Sequence, residues 1–431
     1  MPIISHASTN FEIEPLIHPF GFKGGAVNHL WQSCVYLRTD NGIEADGLGC
    51  QNTLWSDKDV FSSVSPAASS AMMYLITEYA TKQLVGLSFT TPSDAIDKIF
   101  EATLEYAKAI TGRNLRTTFV LNALVPVDHA LWKLYHKLNG NKGMDELMPA
   151  GAKPYMTSRY DRISVIPLIS YGVTLEEIRS LAEEGFFFLK IKIGSDPDKD
   201  GDLDKMLAWD KERIRQVHEA VKDIKTPYTD SGHIAYYLDA NGRYDSIERL
   251  KELIDYADKI GVLERTILIE EPFPEDYHVN VSSLPVIIAA DESAHSPEDV
   301  AHRIDSLGYS AIALKPIAKT MTITYRMIEE AGKRGVPCFC ADLTVGPLMV
   351  ELNKSFAARL NCLPGLKLPV VESNGWQNYI NWENMKKYNP ANGEPWTVME
   401  HGCYVLNDDF YMRDGGIFLD YPHYFDLAKN G

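Results

Sequence analysis

The chain has 431 residues, 45% of them hydrophobic, and a formal net charge of −17. These values are ordinary for a globular protein and exclude collagen-like, mucin-like and wholly disordered chains. The acidic balance argues against a nucleic-acid partner, because phosphate binding requires a basic surface. No apolar run is long enough to span a membrane, and scattered cysteines without a visible secretory signal favour a cytoplasmic protein.

Residues 1–152 predict an α+β domain. The sequence alternates in strand fashion over residues 11–14 and 33–37, and the second run ends in the tight-turn sequence Asp40-Asn41-Gly42. From residue 66 to residue 138 the hydrophobic spacing becomes helical. A small β-meander followed by helices is therefore expected.

Residues 153–384 alternate between short apolar strands and helices. One helix opens with the capping box Thr174-Leu175-Glu176-Glu177 and ends at Gly185. The predicted strands cover residues 165–170, 186–193, 236–239, 266–270, 286–290, 311–314, 336–340 and 368–371. Such units predict a parallel sheet, and about eight of them predict an α/β barrel. The last segment, 385–431, is expected to form irregular strands that pack back on the first domain.

Three consecutive predicted strands end in a carboxylate, at Asp239, Glu270 and Asp291. In an α/β barrel these strand ends meet on one rim, where unpaired carboxylates would repel each other unless a cation neutralised them. Oxygen ligands of this kind favour Mg²⁺. The alternative is that each acid caps the helix that follows. The next residues, Glu271 and Glu292, point to the opposite face and are expected to be structural.

Two lysines lie on one face of an apolar strand, because Lys190 and Lys192 are two residues apart. Mutual repulsion is expected to lower the pKa of at least one of them toward the range of a base. An exposed edge strand is the alternative. Lys315 ends a strand two units beyond Glu270 and is a candidate second acid or base, unless it is a surface or ion-pair lysine.

Together these motifs resemble the mandelate racemase and muconate lactonizing enzyme branch of the enolase superfamily. The matching stretches are, in family order, residues 190–194, 238–241, 269–272, 290–293 and 314–315, and residues 127–132 resemble the helix that closes the family's cap domain. The resemblance implies a modified TIM-type (β/α)8 barrel, residues 153–384, with an N-terminal α+β capping domain, residues 1–152. It also implies Mg²⁺-dependent abstraction of the proton α to a carboxylate, through an enediolate intermediate.

The resemblance assigns roles to the residues singled out above. The metal ligands would be Asp239, Glu270 and Asp291. Lys192 would be the base on one face of the substrate, Lys190 would assist it electrostatically, and Lys315 would serve the opposite face.

Further residues are candidates for substrate contact. Glu372 resembles a family acid that hydrogen-bonds the substrate carboxylate, and a structural role is the alternative. Asp342 would bind a substrate ammonium or hydroxyl group, or else a loop backbone. Asn241, two residues after Asp239, is a further candidate.

Segment 18–25 has the glycine-rich, aromatic and basic composition of a loop that closes over a barrel mouth. Its candidate substrate contacts are His18, Phe20 and Lys23. An ordinary surface turn is the alternative.

Departures from the family pattern reduce the number of reaction types that the sequence favours. The seventh strand leads to Asp342 with no histidine, so the His-Asp dyad of mandelate racemase and of many sugar-acid dehydratases is absent. Lysines on both faces favour a racemase or epimerase. An acid-sugar or hydroxy-acid dehydratase, a cycloisomerase, a metal-assisted hydrolase and a carboxylate-binding barrel without turnover are the alternatives. The expected partner is a small-molecule carboxylate substrate, and a homo-oligomer is expected.

Overall fold

The structure is a computed structural model that describes residues 2–22 and 25–431. It begins with a three-stranded antiparallel sheet in the order β1-β2-β3. The strands are β1 (Ile4–Phe22), β2 (Gly25–Thr39) and β3 (Glu44–Gln51). The predicted turn at Asp40-Asn41-Gly42 joins β2 to β3, with Gly42 at a φ of 84°. The expected β-meander is confirmed.

Helices follow this sheet, and the fifth of them connects it to the rest of the molecule. They are α1 (Thr53–Ser56), α2 (Lys58–Ser63), α3 (Pro66–Gln83), α4 (Pro92–Thr111), α5 (Thr117–Leu138) and α6 (Met144–Leu147). Asp128 on α5 accepts the backbone N–H groups of Met321 at 2.8 Å and Thr322 at 3.2 Å. These bonds satisfy the free amides at the start of a later helix and tie α5 to it.

Eight strand positions then close a parallel barrel in the described chain. The strands are β4 (Arg162–Ile166), β5 (Leu168–Ile169), β6 (Phe188–Lys192), β7 (Ala235–Asp239), β8 (Thr266–Glu270), β9 (Ile287–Ala290), β10 (Ala311–Leu314), β11 (Cys338–Cys340) and β12 (Val370–Glu372). Strands β4 and β5 share the first position, because β4 pairs with β12 and β5 pairs with β6. The predicted barrel with an N-terminal α+β cap is confirmed.

Helices lie between most of the barrel strands, although in the described chain β8 leads to β9 without one. These helices are α7 (Leu175–Glu184), α8 (Leu203–Val221), α9 (Ile247–Lys259), α10 (Pro297–Asp305), α11 (Pro316–Lys319), α12 (Met321–Lys333) and α13 (Pro347–Ala357). The predicted capping box opens α7: Thr174 accepts the amide of Glu177, whose carboxylate accepts the amide of Thr174. Within residues 2–22 and 25–431, no helix is both long and apolar enough to cross a membrane.

The C-terminal segment contains more helix than the composition predicted. Helices α14 (Gly375–Asn378) and α15 (Trp382–Met385) lead into it, and its own elements are β13 (Met399–Glu400), β14 (Cys403–Val405), α16 (Asp408–Met412) and α17 (Pro422–Lys429). Strand β14 pairs with β4 of the barrel. Helix α17 lies on the N-terminal sheet, where Ser8 donates to the carbonyl of Ala428 at 2.7 Å. The domain boundaries at residues 152 and 384 stay predictions.

Candidate active site

The predicted functional strands are neighbours in the barrel, in the order β10-β9-β8-β7-β6. In the parallel register Lys192 lies beside Asp239, and Asp239 lies beside Glu270. The three carboxylate-bearing strands β7, β8 and β9 are therefore flanked by the two strands that lead to Lys192 and Lys315. All of these side chains lie at the carboxyl ends of the strands, where barrel active sites form.

The three carboxylates are buried and are engaged by lysines. Asp239 Oδ2 lies 2.5 Å from Lys192 Nζ and 3.0 Å from Lys190 Nζ. Asp291 Oδ2 lies 2.5 Å from Lys315 Nζ. None of the three acids caps a helix, so the simple capping explanation does not hold for them.

The pKa values of the three acids diverge. For Asp239 burial opposes ionisation, but Lys190 and Lys192 outweigh it and the pKa falls below its usual value. Asp291 behaves in the same way, with Lys315 as its main partner. At Glu270 burial and the neighbouring Asp239 charge dominate, and the pKa is raised well above the usual value. We refer to Asp239, Glu270 and Asp291 as the carboxylate row. The two aspartates are therefore ionised against their lysines, whereas burial and the Asp239 charge favour the protonated form of Glu270.

Lys190 lies at the centre of this charge cluster. Its Nζ is 3.0 Å from Asp239 Oδ2, 2.8 Å from Glu270 Oε2 and 3.0 Å from Glu372 Oε2. Burial disfavours the ammonium, but the carboxylates of Asp239, Glu270 and Glu372 reverse that effect and raise the pKa well above its ordinary value. The expectation that repulsion from Lys192 lowers the pKa is thus wrong for Lys190, because opposite charges surround it.

The edge-strand explanation for these lysines is also wrong, because β6 lies between β5 and β7 and both side chains are buried. Lys315 is likewise buried and not a surface lysine. Burial lowers its pKa, yet the nearby Asp291 carboxylate outweighs burial and the net shift is upward.

Glu271 and Glu292 are the residues that follow Glu270 and Asp291 in sequence, and both accept hydrogen bonds from loop residues. Glu271 Oε2 accepts the amides of Asp291 at 2.7 Å and Ser293 at 3.3 Å. Glu292 Oε1 accepts the side-chain amide of Asn241 at 3.0 Å. Asn241 in turn accepts a hydrogen bond from Lys192 Nζ, so this predicted substrate contact holds the amine of a predicted base in place.

Asp342 and Glu372 lie on the opposite side of the barrel mouth. Asp342 accepts the backbone amides of Leu343 at 2.7 Å and Asn374 at 2.8 Å, which is the loop-backbone alternative. Burial, reinforced by the Glu372 charge, raises the pKa of Asp342 to about 7. Glu372 Oε2 accepts from Lys190 and from the amide of Asp342 at 2.9 Å.

Residues of the N-terminal cap contribute to the lining of the site at the barrel mouth. A cavity of about 30 Å³ is lined by barrel residues and by Phe20, Asn52 and Trp55 from the cap. Phe20 also faces an outer groove of about 780 Å³, whose lining includes the exposed His18. Lys23 lies outside the described residues. Of the predicted loop contacts, Phe20 lines the cavity and His18 lines the outer groove.

Sequence similarity decides the family. Residues 174–406, more than half of the chain, match the family described as enolase C-terminal domain-like. The chain belongs to this family. Among enolase-like relatives, a hydrophobic dipeptide epimerase of Citrifermentans bemidjiense is 27% identical over 366 residues, which cover 82% of this chain and 85% of that protein.

Solved structures show the same enolase-like fold. A mandelate racemase/muconate lactonizing protein from Herpetosiphon aurantiacus superimposes with a TM-score of 0.64 at 16% identity, covering 94% of this chain and 96% of that one. The dipeptide epimerase of Enterococcus faecalis, crystallised with Mg and the dipeptide L-Leu-L-Tyr, gives a TM-score of 0.60 at 16% identity, covering 86% of this chain and 90% of that one.

Membership of the enolase superfamily implies a divalent cation at Asp239, Glu270 and Asp291, and these residues fit one. Among the described residues no three acidic, histidine or cysteine side chains form a metal cluster, and Lys190 and Lys315 lie against the carboxylates. The chemistry of the donors nevertheless suits Mg²⁺, which prefers carboxylate oxygens. Glu270 Oε1 is buried and has no hydrogen-bond partner among the described residues, so one oxygen is available as a ligand.

Several residues of this enolase-like site were missed by sequence reasoning. Trp55 places its ring 4.4 Å from Lys315 Nζ, and no local signal in the sequence indicates that contact. Lys319, one helical turn after Lys315, donates to the backbone carbonyl of Asp291 at 2.7 Å. Tyr237 donates to Glu270 and could have been found, because it lies two residues before Asp239 on the same face of β7.

Proposed function

We propose that this protein is a Mg²⁺-dependent racemase or epimerase that removes the proton α to a substrate carboxylate. The observation that carries this proposal is the placement of Lys192 and Lys315 at the two ends of the carboxylate row. A substrate carboxylate bound over the central strand β8 has one amine on each side. Two-base inversion at carbon uses this arrangement, because one group removes the proton from one face and the other group delivers a proton to the opposite face.

The α-proton of a carboxylate is very weakly acidic, so the developing negative charge must be stabilised. A divalent cation held by the three strand-end carboxylates supplies positive charge at that point. Lys190 adds a second positive charge, since its raised pKa keeps the ammonium protonated. Phe20 and Trp55 line the cavity with apolar surface, and a less polar environment strengthens these electrostatic interactions.

The substrate class that we infer is a dipeptide. Relatives with this fold include the hydrophobic dipeptide epimerase and the dipeptide epimerase crystallised with L-Leu-L-Tyr. In this chain Asn374 Oδ1 is buried at the cavity, without a hydrogen-bond partner among the described residues, beside the carboxylates of Glu372 and Asp342. These acceptors suit the ammonium or amide N–H of a peptide. Phe20 and Trp55 offer apolar surface to its side chains.

The cellular setting is part of the same proposal. The six cysteines are free thiols and five of them are buried, which suits a reducing compartment. We therefore place the protein in the cytoplasm, and we propose that it works as a homo-oligomer. Light scattering coupled to size-exclusion chromatography tests the oligomeric state, and a purely monomeric protein would overturn that part.

Deuterium exchange tests the reaction. The purified protein is incubated with Mg²⁺ in D₂O and a panel of dipeptides, N-acylamino acids and acid sugars, and the α-proton signal is followed by NMR. We expect loss of the α-proton signal and appearance of the second diastereomer for dipeptides, with EDTA as the negative control. Absence of exchange across the panel, or formation of a dehydrated keto product, would overturn the proposal.

A further inference from the structure

The buried side chain of Tyr237 contacts Glu270, the central residue of the carboxylate row. Tyr237 lies on β7, fully buried, and its hydroxyl donates to Glu270 Oε2. We propose that Tyr237 is a positioning residue that orients Glu270 as a metal ligand. This inference rests on the proposed function only in taking Glu270 as a ligand.

The two oxygens of Glu270 are in different environments. Oε2 accepts the Tyr237 hydroxyl and lies 2.8 Å from Lys190 Nζ. Oε1 is buried and has no hydrogen-bond partner among the described residues. One oxygen is therefore held in place, and the other is left to bind a cation. Hydrogen bonds from such outer partners fix ligand orientation, and their loss typically weakens metal binding by about 10–100-fold.

The tyrosine ring is itself rigidly held. Phe188 stacks on it with ring centroids 5.7 Å apart, and Phe339 meets it edge-on at 5.5 Å. Lys190 Nζ lies 4.7 Å from the ring centroid. Phenylalanine at position 237 preserves these ring contacts, so Tyr237→Phe removes the hydroxyl alone.

The neighbouring residue provides a matched control. Tyr236 belongs to the same strand, is also buried, and points to the other face, where its hydroxyl lies 2.9 Å from His218 Nδ1. Tyr236→Phe therefore removes an equivalent hydroxyl from a buried tyrosine without touching the carboxylate row. Any general cost of losing such a hydroxyl is measured by this variant.

Calorimetric titration with Mg²⁺ alone, at fixed pH, tests the inference without turnover. We expect Tyr237→Phe to raise the Kd about 10-fold or more, and Tyr236→Phe to change it less than about twofold. In dipeptide assays Tyr237→Phe should lose activity at low Mg²⁺ and recover the wild-type kcat at saturating Mg²⁺. An unchanged Kd in Tyr237→Phe, or a kcat that saturating Mg²⁺ fails to restore, would overturn the positioning role.

A crystal structure of the wild-type Mg²⁺ complex tests the same contact should Tyr237→Phe fail to fold. We expect the Tyr237 hydroxyl on one oxygen of Glu270 and the metal on the other. A Tyr237 hydroxyl bonded elsewhere would overturn the inference. Failure of the wild-type protein to bind Mg²⁺ would instead count against the proposed function, so the two failures are distinguishable.

Discussion

Lys192 and Lys315 occupy equivalent positions at opposite ends of the carboxylate row. Lys192 Nζ lies 2.5 Å from Asp239 Oδ2, and Lys315 Nζ lies 2.5 Å from Asp291 Oδ2. Lys192 ends β6 and Lys315 directly follows β10, and these are the outer two of five consecutive strands. This arrangement places one amine on each side of any ligand bound over Glu270. Each lysine is therefore expected to act on one stereoisomer of the substrate.

Replacement of one lysine should remove exchange from one stereoisomer. We expect Lys192→Ala to lower α-deuterium incorporation into one epimer by about 10²–10⁴-fold, the usual contribution of a general base. Lys315→Ala should have the same effect on the other epimer, since each amine faces one side of the α-carbon. Proton NMR in D₂O, starting from each pure epimer, measures both rates.

Lys211→Ala is the control for this pair, because Lys211 lies on the outside of the barrel on α8 and pairs with Glu252. Its exchange rates should equal those of the wild-type protein. Exchange that persists in the Lys192→Ala/Lys315→Ala double variant would show that neither lysine is the base.

Metal removal should abolish exchange and lower thermal stability together. Mg²⁺ at 100 times its Kd should stabilise the folded protein by about 2.7 kcal/mol, because it binds the native carboxylate row and not the unfolded chain. Asp291→Asn should lose most of this stabilisation. Thermal unfolding with EDTA or with Mg²⁺ measures it.

The exposed pair of Asp97 and Arg326 supplies the control for the metal experiment. Asp97→Asn removes a carboxylate far from the row, so its unfolding temperature should respond to Mg²⁺ as the wild-type temperature does. A wild-type unfolding temperature that does not change with Mg²⁺ would contradict the metal site.

The carboxylate row could be predicted because its geometry follows from local rules. Neighbouring parallel strands end at one rim, and side chains two residues apart share a face, so spacing alone was enough to bring Asp239, Glu270 and Lys192 together. The same two-residue spacing places Tyr237 on the face of β7 that carries Asp239. Its hydrogen bond to Glu270 could not be predicted from that spacing.

The remaining features depend on contacts between segments far apart in sequence. The raised pKa of Lys190 results from carboxylates on three other strands, including Glu372 on β12. Trp55 reaches Lys315 from the cap only after the two parts of the chain pack together. Helix α17 was missed because it is only eight residues long and lies in a segment rich in Tyr, Asp and Gly, and its packing on the N-terminal sheet stabilises it.

Asp210 should make stability depend on pH. Its buried carboxylate accepts the amide of Gly194, two residues beyond Lys192, at 2.8 Å, and the hydroxyl of Tyr244 at 2.8 Å. Burial raises its pKa from 3.8 to about 7. Between these values the folded protein retains a proton that the unfolded chain has released, so this group makes the fold less stable as the pH rises through that window.

Asp210→Asn removes that titration. We therefore expect the unfolding free energy of Asp210→Asn, relative to the wild-type protein, to rise by about 1.4 kcal/mol per pH unit between about pH 4 and pH 7. Urea unfolding at a series of pH values measures the difference. Tyr244→Phe keeps the carboxyl and should retain the wild-type pH trend, whereas a difference for Asp210→Asn that stays constant with pH would contradict the assignment.

The close approach of α5 to β3 should make Gly47 irreplaceable. A Cβ at Gly47 would lie 2.0 Å from Pro126 O and 2.5 Å from Ala130 N, which are backbone atoms that move only if the helix moves. Overpacking of a core typically costs about 1–3 kcal/mol, and because the clash here is with backbone atoms we expect Gly47→Ala to lower the free energy of unfolding by about 3 kcal/mol. Gly172→Ala is the matched control, since a Cβ there meets nothing within 4 Å, and it should stay within about 0.5 kcal/mol of the wild-type protein. Urea unfolding compares the two variants, and equal stabilities would contradict the packing of the cap helix on its sheet.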